Sequence, residues 1–152
     1  MGVFATVFYG MLSFLDSQFF IIFREEIGGQ MFKGEDYAHF WIEEGILNFI
    51  YKPNIILDLN EAKAVVKARL RLQQGKTYPI LCDIRQLKFS SKAAREYMAV
   101  TGCLKALAIA FVMEEAYSGT MVAAFMKISK PTVPTRAFTT TAEALSFLKR
   151  FK

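Results

Sequence analysis

Charged and hydroxyl side chains follow one another closely between residues 83 and 95. The stretch YPILCDIRQLKFSSKAAREYMA contains an apolar run, an aspartate, a basic loop and then two serines that open a predicted helix. Serines at a helix start with cations nearby can cap the helix, bind an anion or accept a phosphate. The candidate residues for contact with a partner or an anion are Asp83, Arg85, Lys88, Ser90, Ser91, Lys92 and Arg95.

No group of residues with catalytic or metal-binding spacing accompanies this stretch. The chain has a single histidine, His39, and its two cysteines, Cys82 and Cys103, lack the CxxC spacing of zinc and redox sites. The serine-hydrolase, zinc-protease and phosphate-loop motifs are also missing from the sequence. We therefore expect a non-enzymatic protein without a metal or cofactor, and buried thiols in the reducing cytoplasm.

Length and composition predict one ordered domain. The chain has 152 residues, of which 53% are hydrophobic and 22% are charged, enough to order one core. The net charge of +5 comes from scattered residues, without the basic runs and interleaved aromatics of a nucleic-acid groove. Nucleic acid is therefore not an expected partner.

Residues 1–30 are an apolar extension that allows three interpretations. The segment VFATVFYGMLSFLDSQFFIIF is long enough to cross a membrane, but an aspartate near its middle costs about 3 kcal/mol on insertion scales. A secretory signal is the weakest alternative because no basic residue precedes the apolar run. A membrane anchor is the second. We favour the third, a misassigned start, which leaves a domain of residues 31–152.

The pattern after residue 37 alternates between strands and helices. A hairpin turns at Glu43, Glu44 and Gly45, a helix capped by Asp58 or Asn60 runs to Gly75, and the apolar run TYPILCDI predicts a central strand. Further elements are a helix from Ser91, a strand in ALAIAFVM, a helix in EEAYSGTMVAAFMKIS, a strand in TRAF and a helix in TAEALSFLKRF. This order predicts an α/β fold with a mixed, mainly parallel sheet, an N-terminal antiparallel hairpin and helices packed against it.

The first predicted helix carries a basic stripe. Lys63, Lys67 and Arg71 recur every four residues, so they share one side of the helix. Such a stripe is commonly a solvated face. A docking surface for an acidic partner or a lipid head group is the alternative.

The stretch ILCDIRQLKFSSKAAREYM resembles the central strand, loop and helix of STAS domains, and Asp83, Leu87 and Phe89 fit that pattern. The wider likeness, about residues 37–152, is to small SpoIIAA-like bacterial proteins. It implies a STAS-like regulatory or protein-interaction module that uses residues 83–95. The partner would be a regulatory kinase, a sigma-factor regulator, a transporter-type protein or an anionic ligand.

The sequence departs from the STAS pattern where those domains are phosphorylated. Their Asp-Ser-Ser-Gly motif falls on Ser91, Lys92, Ala93 and Ala94, so an alanine stands at the position of the phosphorylated serine. We therefore expect Ser91 to cap the helix, with phosphorylation of Ser90 or Ser91 as the alternative. The alternative function is a carrier for a lipid or nucleotide, because some SpoIIAA-like domains resemble lipid-binding folds.

We predict that a chain starting at Met31 unfolds with the same cooperative transition as the full chain and is more soluble. The reason is that the apolar extension adds exposed hydrophobic surface without belonging to the core. Thermal melting and the concentration at which each chain precipitates check this. Loss of cooperative unfolding after truncation would show that residues 1–30 belong to the core.

Overall fold

Two sheets organise the domain in the computed structural model, which describes residues 33–114 and 122–152. The chain divides into two units after Met31, and the described residues all belong to the second unit. The strands are β1 Ala38–Glu43, β2 Ile46–Tyr51, β3 Ile55–Leu57, β4 Tyr78–Asp83, β5 Leu87–Ser90, β6 Ala106–Val112 and β7 Thr135–Phe138. The main sheet has the order β1-β2-β4-β6-β7, and β3 pairs with β5 in a small sheet of two strands.

The directions of the strands confirm the predicted α/β class. β1 and β2 are antiparallel, whereas β2-β4, β4-β6 and β6-β7 are parallel, so the sheet is mixed and mainly parallel. Glu44 and Gly45 form the hairpin turn with φ angles of 48° and 76°, the left-handed pair of a two-residue type I′ turn. β4 is the central strand, as its continuous apolar run predicts.

Three α-helices have both ends within the described residues: α1 Leu59–Gln73, α2 Lys92–Val100 and α3 Thr141–Leu148. Asp58 caps α1 and forms a capping box with Glu61, which confirms the first of the two predicted caps. The helix ends one residue before the predicted stop, because Gln74 takes the left-handed conformation ahead of Gly75. The helix predicted in EEAYSGTMVAAFMKIS lies partly outside the described residues, and its end is a π-helical turn, Phe125–Ser129.

The main sheet separates two groups of core side chains. Alternate residues of β4 point to opposite faces, with Ile80 and Cys82 in one group and Leu81 in the other. The first group packs with α1 and α2, and the second packs with Ala144 and Leu148 of α3. This cover on both faces explains why β4 is apolar at successive positions.

The small sheet of β3 and β5 corrects the sequence-based assignment, in which no strand was assigned to either segment. The two strands have three and four residues, too short for an alternating pattern to be recognised. They are parallel, and Leu57 pairs with Ser90 at their ends. Since α1 and α2 follow these strands after a single residue each, the small sheet places two helix starts together.

A buried polar network fixes α1 against the turn that precedes β6. Arg69 is only 1% exposed, and its Nη2 donates to the carbonyl oxygens of Gly102 and Leu104, both at 3.0 Å. Its Nη1 donates to the side-chain oxygen of Gln73. Gln73 in turn donates to the carbonyls of Lys76 and Lys105 at 3.0 and 2.9 Å. The network thus joins the end of α1 to the turns on either side of it.

We predict that Arg69→Met lowers the free energy of unfolding by about 3 kcal/mol, because a buried carbonyl at Gly102 and a part-buried one at Leu104 lose their donor at roughly 1–3 kcal/mol each. Lys67→Met is the matched control: it removes the same charge from an exposed position of the same helix and should change stability by about 0.5 kcal/mol or less. Urea unfolding measures both. Equal stabilities for the two variants would contradict a structural role for the network.

Candidate functional site

The starts of α1 and α2 lie side by side at the end of the small sheet. The backbone N–H of Ser91 donates to the carbonyl oxygen of Leu57 at 2.9 Å, which extends the pairing of β3 with β5 to the two cap residues. Asp58 and Ser91 therefore meet, although 33 residues separate them in the sequence. The hydroxyl of Ser91 donates to Oδ1 of Asp58 at 2.6 Å.

Ser91 caps α2, as the sequence predicts. Its Oγ accepts a hydrogen bond from the backbone N–H of Ala94 at 3.1 Å. Asp58 Oδ1 also accepts from the N–H of Leu59 at 2.8 Å. Both bonds lower the pKa of Asp58, and the bond from Ser91 has the larger effect. A carboxylate of the chain itself therefore occupies the positive end of a helix, where an external anion would otherwise bind.

This arrangement bears on the alternative of serine phosphorylation. A phosphate on Ser91 would break the bond that its hydroxyl donates to Asp58 and would place a second negative group against that carboxylate. Ser90 is only 4% exposed, so a kinase would need β5 to open before it could reach this residue. The geometry thus favours capping, and phosphorylation of either serine stays a prediction.

Asp83 and Arg85 form an ion pair at the end of β4. Arg85 donates to the Asp83 carboxylate from Nε at 3.0 and 3.2 Å and from Nη2 at 2.6 Å, and its backbone N–H donates at 3.1 Å. The side-chain bonds raise the pKa of Arg85. Asp83 thus anchors the loop after β4 through this ion pair, and the Arg85 guanidinium is already engaged within the chain.

Of the other three basic residues between 83 and 95, one bonds to the chain's own backbone and two are exposed. Arg95 donates from Nη1 to the carbonyl of Ser90, which holds it against the small sheet. Lys88 and Lys92 are exposed, and Nζ of Lys92 lies 3.7 Å from Oε1 of Glu96. An exposed pair at this distance contributes little to stability. The lysines are therefore the cations of this stretch that a partner can reach most readily.

Two large apolar side chains are exposed on the small sheet. Ile56 is 56% and Phe89 is 52% exposed, and the two residues are partners across the pairing of β3 with β5. Sequence reasoning missed Ile56 because it lies in the run NIIL, which resembles a core segment. We define the contact surface as Ile56, Lys88, Phe89, Ser91 and Lys92.

A cavity of about 70 Å³ lies beneath the small sheet, between the main sheet and the helices. Its polar contributors are Tyr51, Arg69, Cys82, Ser90 and Arg95, and the other lining residues are apolar apart from the backbone of Gly102. Pockets for drug-sized ligands measure about 300–1,000 Å³. The cavity formed by the described residues is thus too small for a lipid or a nucleotide.

The structure brings no further reactive groups together in the described part of the chain. No cluster of three or more His, Cys, Asp or Glu side chains suited to a metal occurs there. Cys82 and Cys103 are buried free thiols, as predicted, and burial raises the pKa of Cys82. Burial, and secondarily Lys52, lowers the pKa of His39. None of the described helices combines the length and apolar character that a membrane crossing requires.

The family of the chain follows from a match over most of its length. Residues 40–152 match the family model described as Domain of unknown function (DUF7793). The chain belongs to this family. The DUF7793 match begins within β1 and includes both small strands, the starts of α1 and α2, and the whole contact surface. No curated protein matches the chain.

One solved structure similar to this DUF7793 chain comes from Shewanella loihica PV-4. It is described as an uncharacterised protein of the DUF3478 family with a SpoIIAA-like fold. The two chains are 17% identical with a TM-score of 0.49, and the similarity covers 73% of this chain and 91% of the other.

We predict that Ser91→Ala raises the pKa of Asp58 and lowers stability by about 1 kcal/mol through the lost α2 cap. Because Asp58 has a lower pKa in the folded than in the unfolded chain, its contribution is present at neutral pH and is lost as the pH falls through the folded-state pKa. The variant should therefore lose less stability on acidification. Carboxyl-carbon NMR titration and melting at several pH values measure both effects.

Ser146→Ala is the control for this titration, since Ser146 is an exposed serine on α3. It should leave the titration of Asp58 unchanged. An Asp58 pKa that is the same in the wild type and in Ser91→Ala would contradict the hydrogen bond between the two caps.

Proposed function

We propose that this DUF7793 domain is a non-enzymatic STAS-like regulatory module that binds a protein partner through the contact surface. The observation that carries the proposal is the exposed pair of Ile56 and Phe89, each more than half exposed on paired strands. Adjacent apolar side chains of this size are frequent at the centres of protein interfaces, where their burial on binding supplies much of the affinity.

The backbone around this pair is held in place before any partner binds. At one end of the small sheet, the N–H of Asn54 donates to the carbonyl of Gln86 at 3.1 Å. At the opposite end, the N–H of Ser91 donates to the carbonyl of Leu57 at 2.9 Å. The bond between Ser91 and Asp58 adds a side-chain link. A surface fixed in this way loses little conformational entropy on binding.

The charges around the pair indicate the chemistry of the partner. Lys88 is the extra residue where the register of β3 with β5 shifts, and both it and Phe89 are exposed. The exposed Lys92 begins α2, so positive charge lies on the same part of the domain as the apolar centre. An acidic rim around an apolar patch would complement this surface. A regulatory kinase, a sigma-factor regulator and a transporter-type protein are the partner classes that the STAS resemblance implies.

The alternatives receive less support from the geometry. A free anion at the helix starts would compete with the Asp58 carboxylate, which already accepts bonds from Leu59 and Ser91. A carrier of lipids or nucleotides would need a cavity several times larger than the one beneath the small sheet, about 70 Å³, and the groove of about 360 Å³ beside α1 is more open to solvent. We therefore place the function on the surface of the domain.

We predict that Phe89→Ser abolishes capture of the partner and that Leu104→Ser does not. Leu104 is 53% exposed and lies outside the contact surface, so the two variants remove similar apolar area at different sites. Immobilised wild type and both variants are incubated with extract of the source cells, and the bound proteins are quantified by mass spectrometry. The partner should be enriched by wild type and Leu104→Ser and depleted at least tenfold by Phe89→Ser.

Lys88→Glu tests the charge of the rim separately. It should weaken capture, and raising the salt concentration should weaken wild-type capture in the same direction. If the protein enriched by wild type is retained equally by Phe89→Ser, or lost equally with Leu104→Ser, the contact surface is not the binding site.

A further inference from the structure

The cavity beneath the small sheet is apolar, yet its charged groups are all positive. Arg69 and Arg95 contribute to its lining, and no aspartate or glutamate does so among the described residues. Aromatic and aliphatic side chains of the main sheet, including Phe49, Ile109 and Phe111, form much of the remaining wall. The interior of the cavity is therefore surrounded by low-polarity groups and two guanidinium charges.

The charge of Arg69 has no carboxylate partner in the described part of the chain. Its three hydrogen bonds go to neutral oxygens, those of the Gln73 side chain and of the Gly102 and Leu104 carbonyls. Burial lowers the pKa of Arg69 to about 10, so the group remains protonated at neutral pH. Burial also raises the pKa values of its neighbours Tyr51 and Cys82, so neither supplies a negative charge.

A buried cation without a counter-ion favours an anion that can approach it. The size of the cavity restricts which anion fits, since an apolar cavity of about 150 Å³ holds benzene and this one measures about 70 Å³. The apolar walls favour an alkyl body, and the guanidinium favours a planar carboxylate head. A short-chain carboxylate combines these properties, whereas inorganic phosphate lacks the alkyl body.

We propose that this cavity is a binding site for a small organic carboxylate, with its head group directed to Arg69 and its alkyl chain against Phe49, Ile109 and Phe111. The site is distinct from the contact surface, and it does not depend on the partner proposed above. It would make the domain responsive to a small metabolite of this chemical class.

NMR titration of the full-length protein with sodium propionate tests the site. The neutral isostere propionamide is the comparison for charge, and sodium chloride at equal ionic strength is the control for salt. Propionate should give saturable shifts of the Arg69 Nε–H signal and of the Phe49 and Ile109 amides. Propionamide should bind at least tenfold more weakly because it lacks the charge. Octanoate should not bind at the cavity because its chain is too long.

Two substitutions of Cys82, which lines the cavity, supply matched controls. Cys82→Leu fills the space and should abolish the propionate shifts, whereas Cys82→Ala keeps the space and should retain them. The comparison of propionate, propionamide and octanoate on wild type decides the question even if the leucine variant does not fold. Shifts that never saturate, that are equal for propionamide, or that are confined to surface lysines would overturn the proposal.

Discussion

The buried guanidinium of Arg69 is the constraint on which the arrangement of the domain depends. A charged group that is 1% exposed is tolerated only where hydrogen bonds replace its lost hydration, and here three neutral oxygens do so. Because those oxygens belong to the end of α1 and to the turn before β6, the network holds the helix at one angle to the main sheet. The position of Asp58 at the start of α1, and through it that of Ser91, follows from this attachment.

The junction of the two helix starts determines what kind of recognition the site can perform. In the STAS pattern this region holds a phosphorylated serine, but its position here is Ala93, and the neighbouring Ser91 hydroxyl is bonded to Asp58. The Asp58 carboxylate satisfies the start of α1 from within the chain. The groups that remain exposed there are the apolar pair and its lysines, and we propose that they bind a partner by complementary shape and charge rather than through a single phosphate.

The sequence predicted the parts of the fold that follow from periodicity and caps. The hairpin, the central β4, and the caps at Asp58 and Ser91 were all recognisable, because turn residues, continuous apolar runs and helix-start oxygens are local signals. The pairing of β3 with β5 was not recognisable. Strands this short show no alternating pattern, and the two segments that pair are far apart in the sequence. Ile56 and the Asp58–Ser91 bond at the candidate site therefore emerged only from the structure.

Arg69 could have been found in the sequence, although it was not. It continues the buried stripe of Ala62, Val65 and Val66 along α1 and precedes the buried Gln73 by one turn. The sequence-based interpretation of this helix considered only the exposed stripe of Lys63, Lys67 and Arg71. A charged residue at the core side of an amphipathic helix indicates a buried polar network, and its acceptors are distant carbonyls that no sequence pattern identifies.

We propose that a protein partner binds over the small sheet. Hydrogen–deuterium exchange of the domain, free and in complex with the captured partner, tests it most directly because exchange reports protection of individual backbone segments. If the partner binds there, protection on binding should concentrate in residues 55–57 and 87–92. Protection centred instead on the exposed basic side of α1, at residues 63–71, with the small sheet exchanging as in the free domain, would contradict it.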